Sequence, residues 1–90
     1  MSSQNDLHEQ TQLASQIQAK YANDLMQKPN VIGVGVGHPI SNGVRSPNVG
    51  LIVMVDHKIP LDELAPDDVI PKQLEGVQVD VQEMGAFRAQ

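Results

Sequence analysis

The run Val31-Ile32-Gly33-Val34-Gly35-Val36-Gly37 constrains the fold of this chain more than any other stretch. It alternates with a period of two, the period of a strand, whose side chains point to opposite faces in turn. One face carries Ile32, Val34 and Val36. The other carries Val31 and then only Gly33, Gly35 and Gly37. A strand face without side chains lets another backbone or a helix approach closely. We expect the chain's own first helix to pack there; the alternative is a docking groove for a partner.

The flanking segments set the architecture. From Leu7 to Lys28 there is no glycine or proline, and Leu13, Ile17, Tyr21 and Leu25 recur at helical spacing. That is one apolar stripe on a helix, with Lys28 in the last turn, where a cation suits the macrodipole, and Pro29 as its stop. After the glycine run, residues 38–48 hold Pro39, Pro47 and Asn42-Gly43, the composition of a loop with a turn inside it. Val49 to Asp56 is a second strand, most simply antiparallel to the first. Val49, Leu51, Val53 and Val55 line one of its faces, and Ile52 and Met54 the other. A strand apolar on both faces is covered on both sides, yet one helix covers only one. Residues 57–76 are punctuated by Pro60, Pro66 and Pro71. A third strand, Val77 to Met84, points Val77, Val79 and Val81 inward and Gln78, Asp80 and Gln82 to water.

The expected fold is therefore α+β: an N-terminal helix packed on a small three-stranded sheet, in the order helix, strand, strand, connector, strand. Residues 1–6 are expected to be loose and 7–90 to form a single domain. The core is aliphatic, because Tyr21 and Phe87 are the only aromatics, and no cysteine is present to supply a disulfide or a thiolate ligand. A core this small leaves association with a second copy as the natural extra support.

Charge excludes several classes of function. The net charge is −5, with acids concentrated from Asp56 onward and six basic residues scattered. Phosphate backbones and anionic membranes both need a basic face, so neither nucleic acid nor a membrane is an expected partner. No stretch approaches the ~20 apolar residues of a membrane span. Met1 to Asp6 has neither the basic start nor the apolar run of a secretory signal, so the cytoplasm is the default compartment.

No motif carries chemistry. A dinucleotide loop needs its glycines in a turn that opens a helix, whereas here they alternate in a strand followed by His38-Pro39. His38, Asp56 and His57 suggest a metal site only until the hairpin is drawn. With the turn near Gly43, His38 lies opposite about Val49 and His57 lies near Asn30, at the two ends of strands that rise ~3.3 Å per residue. An ion needs all its ligands within about 2–2.5 Å. Asp62-Glu63 and Asp67-Asp68 fall in an exposed, proline-rich connector, where no apolar pocket raises a carboxyl's pKa for acid–base work. No nucleophile elbow or cysteine nucleophile is present. We therefore expect no enzyme activity, no cofactor and no metal. The residues expected to mediate interaction are Gly33, Gly35, Gly37, Ile52 and Met54.

Several short motifs in order carry a resemblance: Asn30-Val31 with Gly33-Val34-Gly35-Val36-Gly37, then Leu51-Ile52-Val53-Met54-Val55 with Lys58 and Pro60, Ile70-Pro71, Gly76-Val77-Gln78-Val79-Asp80-Val81, Glu83, Gly85 and Phe87-Arg88-Ala89. Over about residues 29–89 the chain resembles the segment that precedes the catalytic domain in a group of bacterial trypsin-like serine peptidase-related proteins. The resemblance implies a peptidase-associated accessory domain, and it lends no catalytic residue to any position here. Three functions follow as expectations: a non-enzymatic domain that self-associates as a homodimer, a propeptide-like or inhibitor-like module that holds a peptidase domain, or a small ligand-binding protein.

Overall fold

The computed structural model describes residues 3–84, with the side chains from Leu7 onward except that of Leu61. Met1-Ser2 and the expected tail Gly85–Gln90, Phe87 included, lie outside the described residues. The architecture is α+β, with one helix, α1 (Ser3–Met26), laid on a mixed four-stranded sheet. The strands are β1 (Val31–Gly37), β4 (Gly50–Val55), β5 (Gln73–Leu74) and β6 (Val77–Glu83), in spatial order β1-β4-β6-β5; β2 (Ile40–Ser41) and β3 (Val44–Arg45) form a separate hairpin. The expected three strands are thus the sheet's long ones, with β5 added at the edge. β4 is antiparallel to β1 and parallel to β6.

α1 begins at Ser3, so residues 3–6 extend the helix instead of forming a loose start. Its inward stripe is Ala14, Ile17 and Leu25, all buried, with Tyr21 packed beside them; Leu13, expected in the stripe, is 45% exposed. The helical phase turns the smaller Ala14 inward in its place. Glutamines complete the inner side. Gln10 Oε1 accepts the Val49 amide at 2.8 Å, and Gln18 Nε2 donates to the Val34 carbonyl at 2.7 Å. The helix ends at Met26, with no basic residue in its last turn. Lys28 lies beyond it, and its ammonium donates to the Asp67 carbonyl instead of serving the helix dipole.

Both two-residue hairpins owe their turns to glycine. Asn42-Gly43 joins β2 to β3 and Glu75-Gly76 joins β5 to β6, each pair with both φ angles positive. This is the type I′ geometry, whose twist matches that of paired strands. Asn tolerates the left-handed region and Glu does so less readily. Glu75 is held there by two bonds from α1: Lys20 Nζ at 2.6 Å and Tyr21 Oη at 2.8 Å. These contacts clip the helix to the β5–β6 turn.

The clip has a signature in pH. The Lys20 bond, and after it the Tyr21 bond, hold the Glu75 carboxyl below its usual range. Bonding to Glu75 pushes the Tyr21 hydroxyl above its ordinary 10.0 and Lys20 above its ordinary 10.5. A lowered carboxyl pKa gives stabilisation that is present above the usual glutamate range and lost as pH falls through the depressed value. Raised pKa values at Tyr21 and Lys20 give stabilisation present below their ordinary values and lost as pH rises through the raised ones. Tyr21 is the only tyrosine and no tryptophan is present, so its ionisation is read directly by ultraviolet absorbance. Its midpoint should lie above that of a model tyrosine and drop in Glu75→Ala. A midpoint indifferent to that substitution would mean the clip does not form.

Candidate interaction surface

The ladder register assigns every strand residue to a face. Val31 pairs with Val55, Val34 with Val53 and Val36 with Leu51; Leu51 lies beside Val79 and Val53 beside Val81. These residues face α1: Ala14, Ile17 and Leu25 share one core cluster with Val31, Leu51, Val53, Val55, Val77 and Val79. On the opposite face Gly33 pairs with Met54, Gly35 with Ile52 and Gly37 with Gly50, and β6 adds Asp80 beside Ile52 and Gln82 beside Met54.

This corrects the expectation for the glycines. Gly33, Gly35 and Gly37 point away from α1, so they do not serve its close packing. The row is interrupted at Ile32, where the β1–β4 register shifts. A one-residue bulge moves the next residues to the other face. Val31 therefore joins the core instead of the glycine face, and Ile32 is left 49% exposed. What lies over the glycines is their own neighbour strand. A Cβ built on Gly33 would meet the Met54 methyl at 2.9 Å and one on Gly37 would meet Ile52 Cγ1 at 3.3 Å, whereas one on Gly35 meets only the Met54 methyl, at 3.8 Å. Met54 and Ile52 thus lean across bare backbone and make a low, flat aliphatic layer. Gly35 has room, so Gly35→Ala should leave the fold intact and raise stability by about 0.5–1 kcal/mol through the entropy of the unfolded chain. Denaturant melts at sub-micromolar concentration measure this; a lowered midpoint would mean that the chain itself packs closely on Gly35.

Covering elements are distributed unevenly between the two faces. The connector between β4 and β6 carries 3₁₀ turns at Leu61–Glu63 and Pro66–Asp68. It lies on the helix side, where Ile70 and Leu74 pack against the core and Lys28 reaches Asp67. Ile52 and Met54, on the opposite face, are partly buried. Among the described residues, the β2–β3 hairpin reaches the open face, at one end. Pro39 sits over Gly50, and the Ile40 amide donates to Asp80 Oδ2 at 3.0 Å. The hairpin brings Ile40, 47% exposed, to that end of the surface. Asp80, the single charged group in the three rows, also accepts from Gln82 Nε2 at 3.0 Å.

His38 and His57 lie at opposite ends of the β1–β4 pair. His57 lies beside Asn30, with Nε2 3.4 Å from Asn30 Nδ2 and Nδ1 3.2 Å from Asp56 Oδ2. His38 is at the far end of the hairpin, its Nδ1 within 3.0 Å of the Ser46 carbonyl and 3.1 Å of that of Asn48. Two carbonyls can only accept, so that nitrogen carries the proton. Among the described residues no three His, Asp or Glu side chains group as a metal site. No helix among them is long and apolar enough to cross a membrane.

A cleft of about 230 Å³ that the sequence did not announce lies under the connector, walled by Pro29, Val55, Ile59, Leu64, Ile70 and Val81 with His57, Lys58 and Asp68 beside them. Its signal was the set of apolar residues spaced between the connector's prolines, which turn inward here. No protein-family model matches the chain, and no curated protein matches it significantly.

Proposed function

We propose that this chain is a non-enzymatic interaction domain that self-associates, and that its working surface is the open face formed by Gly33, Gly35, Gly37, Ile52 and Met54. One observation carries the reading. Among the described residues, Ile52 and Met54 stand in the middle of the sheet on the face opposite the core that α1, Ile70 and Leu74 pack against. A second copy suits this face better than a charged partner does. In a chain of net charge −5, these rows hold only Asp80, whose Oδ2 is already engaged twice. Two such faces can stack across a twofold axis without bringing the acidic connectors together.

The size of the face sets the strength. Three strands about 4.8 Å apart and six residues long offer a footprint of about 300 Å². Standard interfaces bury ~800 Å² per partner, so the dimer is expected to be weak, with a dissociation constant in the micromolar range or above. Light scattering across a dilution series tests this. A mass that rises toward twice the formula value at high micromolar concentration supports the reading, and a constant monomer mass ends it. The resemblance to peptidase-associated segments makes a peptidase domain the second candidate occupant of the same face. Heteronuclear titration with such a domain, shifting Ile52 and Met54 in a chain that stays monomeric alone, would favour that propeptide-like role.

A further inference from the structure

We propose that the free half of β6 takes up an extended acidic peptide as an added strand. β5 covers only the start of β6, pairing Gln73 with Gln78 and Leu74 with Val77, and the Val79 amide donates to the Lys72 carbonyl at 2.9 Å. The Val79 amide therefore points away from β4, while that of Met84 points toward it, donating to the Val55 carbonyl at 2.8 Å. Backbone direction alternates along a strand, so the amides and carbonyls of Val81 and Glu83 also point outward, past the end of β5. Edge groups of this kind accept a further strand.

A groove of about 790 Å³ runs along this edge, lined by Lys58, Ile70, Lys72, Asp80, Val81 and Ile40 among others. Lys58 and Lys72 are two of the chain's six basic residues, and neither ammonium makes a hydrogen bond or ion pair among the described residues. The carboxylate in the groove, Asp80, is occupied by the Ile40 amide and Gln82. Glu83 Oε2, at the strand's end, already accepts the Lys58 amide at 2.9 Å. Among the described residues, the groove therefore presents two unengaged cations beside unpaired strand backbone, with Ile70 and Ile40 as apolar flanks. An extended segment of alternating acidic and aliphatic residues satisfies all three features. The groove meets the open face at Asp80 and Ile40 but does not include Ile52 or Met54.

The probe is the capped hexapeptide acetyl-Glu-Val-Glu-Val-Glu-Val-amide, titrated into the isotope-labelled full chain and followed by amide chemical shifts. Shifts centred on Val81 and Glu83 are expected, weakening with added salt. Lys58→Glu with Lys72→Glu should raise the dissociation constant at least about tenfold. The same peptide methylated on alternate backbone nitrogens, and its lysine-valine counterpart, should not bind. Met54→Asp should bind as the parent does. The proposal is overturned by an absence of shifts at millimolar peptide, by equal binding of the lysine peptide, by shifts centred on Leu64 and His57 in the neighbouring cleft, or by loss of binding in Met54→Asp.

Discussion

Gly50→Ala should cost about 3 kcal/mol or more, at the upper end of what overpacking a well-filled site produces. The reason is local and rigid. A Cβ on Gly50 would collide with the backbone carbonyl oxygen of Gln78 and come within 2.9 Å of Pro39 Cγ and 3.2 Å of the Gln78 carbonyl carbon. The flexible methyl over Gly33 can swing aside. A strand backbone cannot, because β6 is held there by the pairing of Leu51 with Val79. Relief requires β6 to shift against β4, opening the core at the buried residues Leu51 and Val79, or the proline to lift and take the β2–β3 hairpin with it. For a domain of this size such a loss lowers the melting temperature by about 12–24 °C. Thermal melts of Gly50→Ala and Gly35→Ala, side by side, separate a glycine required by close backbone approach from one with space above it. Equal melting temperatures would contradict the described packing of β6 on β4.

Met54→Asp is the second substitution with a large expected effect, and it acts on association instead of folding. Met54 lies over Gly33 on the open face and is only partly buried. A carboxylate there stays hydrated in the single chain, so circular dichroism and the melting temperature should change little at low concentration. Between two stacked faces it has no cation to meet, since the neighbouring rows hold glycines, Ile52, Gln82 and the carboxylate of Asp80. Stripping water from an unpaired carboxylate costs several kcal/mol. The dissociation constant should rise at least about a hundredfold, which moves a micromolar dimer beyond practical concentrations. Sedimentation equilibrium of parent and variant checks this. A variant that sediments with the parent's mass at high concentration would place any association elsewhere on the molecule.

Much of this fold is legible in the residues, and the illegible parts have physical causes. Val77, Val79 and Val81 alternate with polar residues, and period-two patterning on a strand with one wet face is a direct record of burial. The hairpin register is legible too, because Asn42-Gly43 fixes where the chain turns; His57 does lie beside Asn30, and His38 beside Asn48. Patterning reports which residues share a face. It does not report which face the helix chooses, and the glycine row faces away from α1. The bulge at Ile32 leaves no mark either: Val31 and Ile32 are equally apolar, and only the pairing with Val55 reveals which is inside. β5 is two residues long, below the length at which alternation can be recognised, and its turn uses Glu75-Gly76 in place of the commoner Asn-Gly. In the candidate surface, Ile52 and Met54 were recognisable because they make β4 apolar on both sides. Ile40 was not, since its approach depends on the Ile40–Asp80 bond, forty residues apart in sequence.

If two copies of the chain bury the face carrying Met54 between them, the Met54 methyl group reports on it directly. The chain has four methionines, Met1, Met26, Met54 and Met84, so methyl-labelled protein gives a simple spectrum in which each is assigned by single substitution. Diluting the sample from high micromolar to low micromolar concentration should move the Met54 resonance along a binding curve that matches the change in mass. Met26, on the far side of the molecule in the last turn of α1, should stay fixed. A Met54 resonance that does not move across the dilution series would contradict the account.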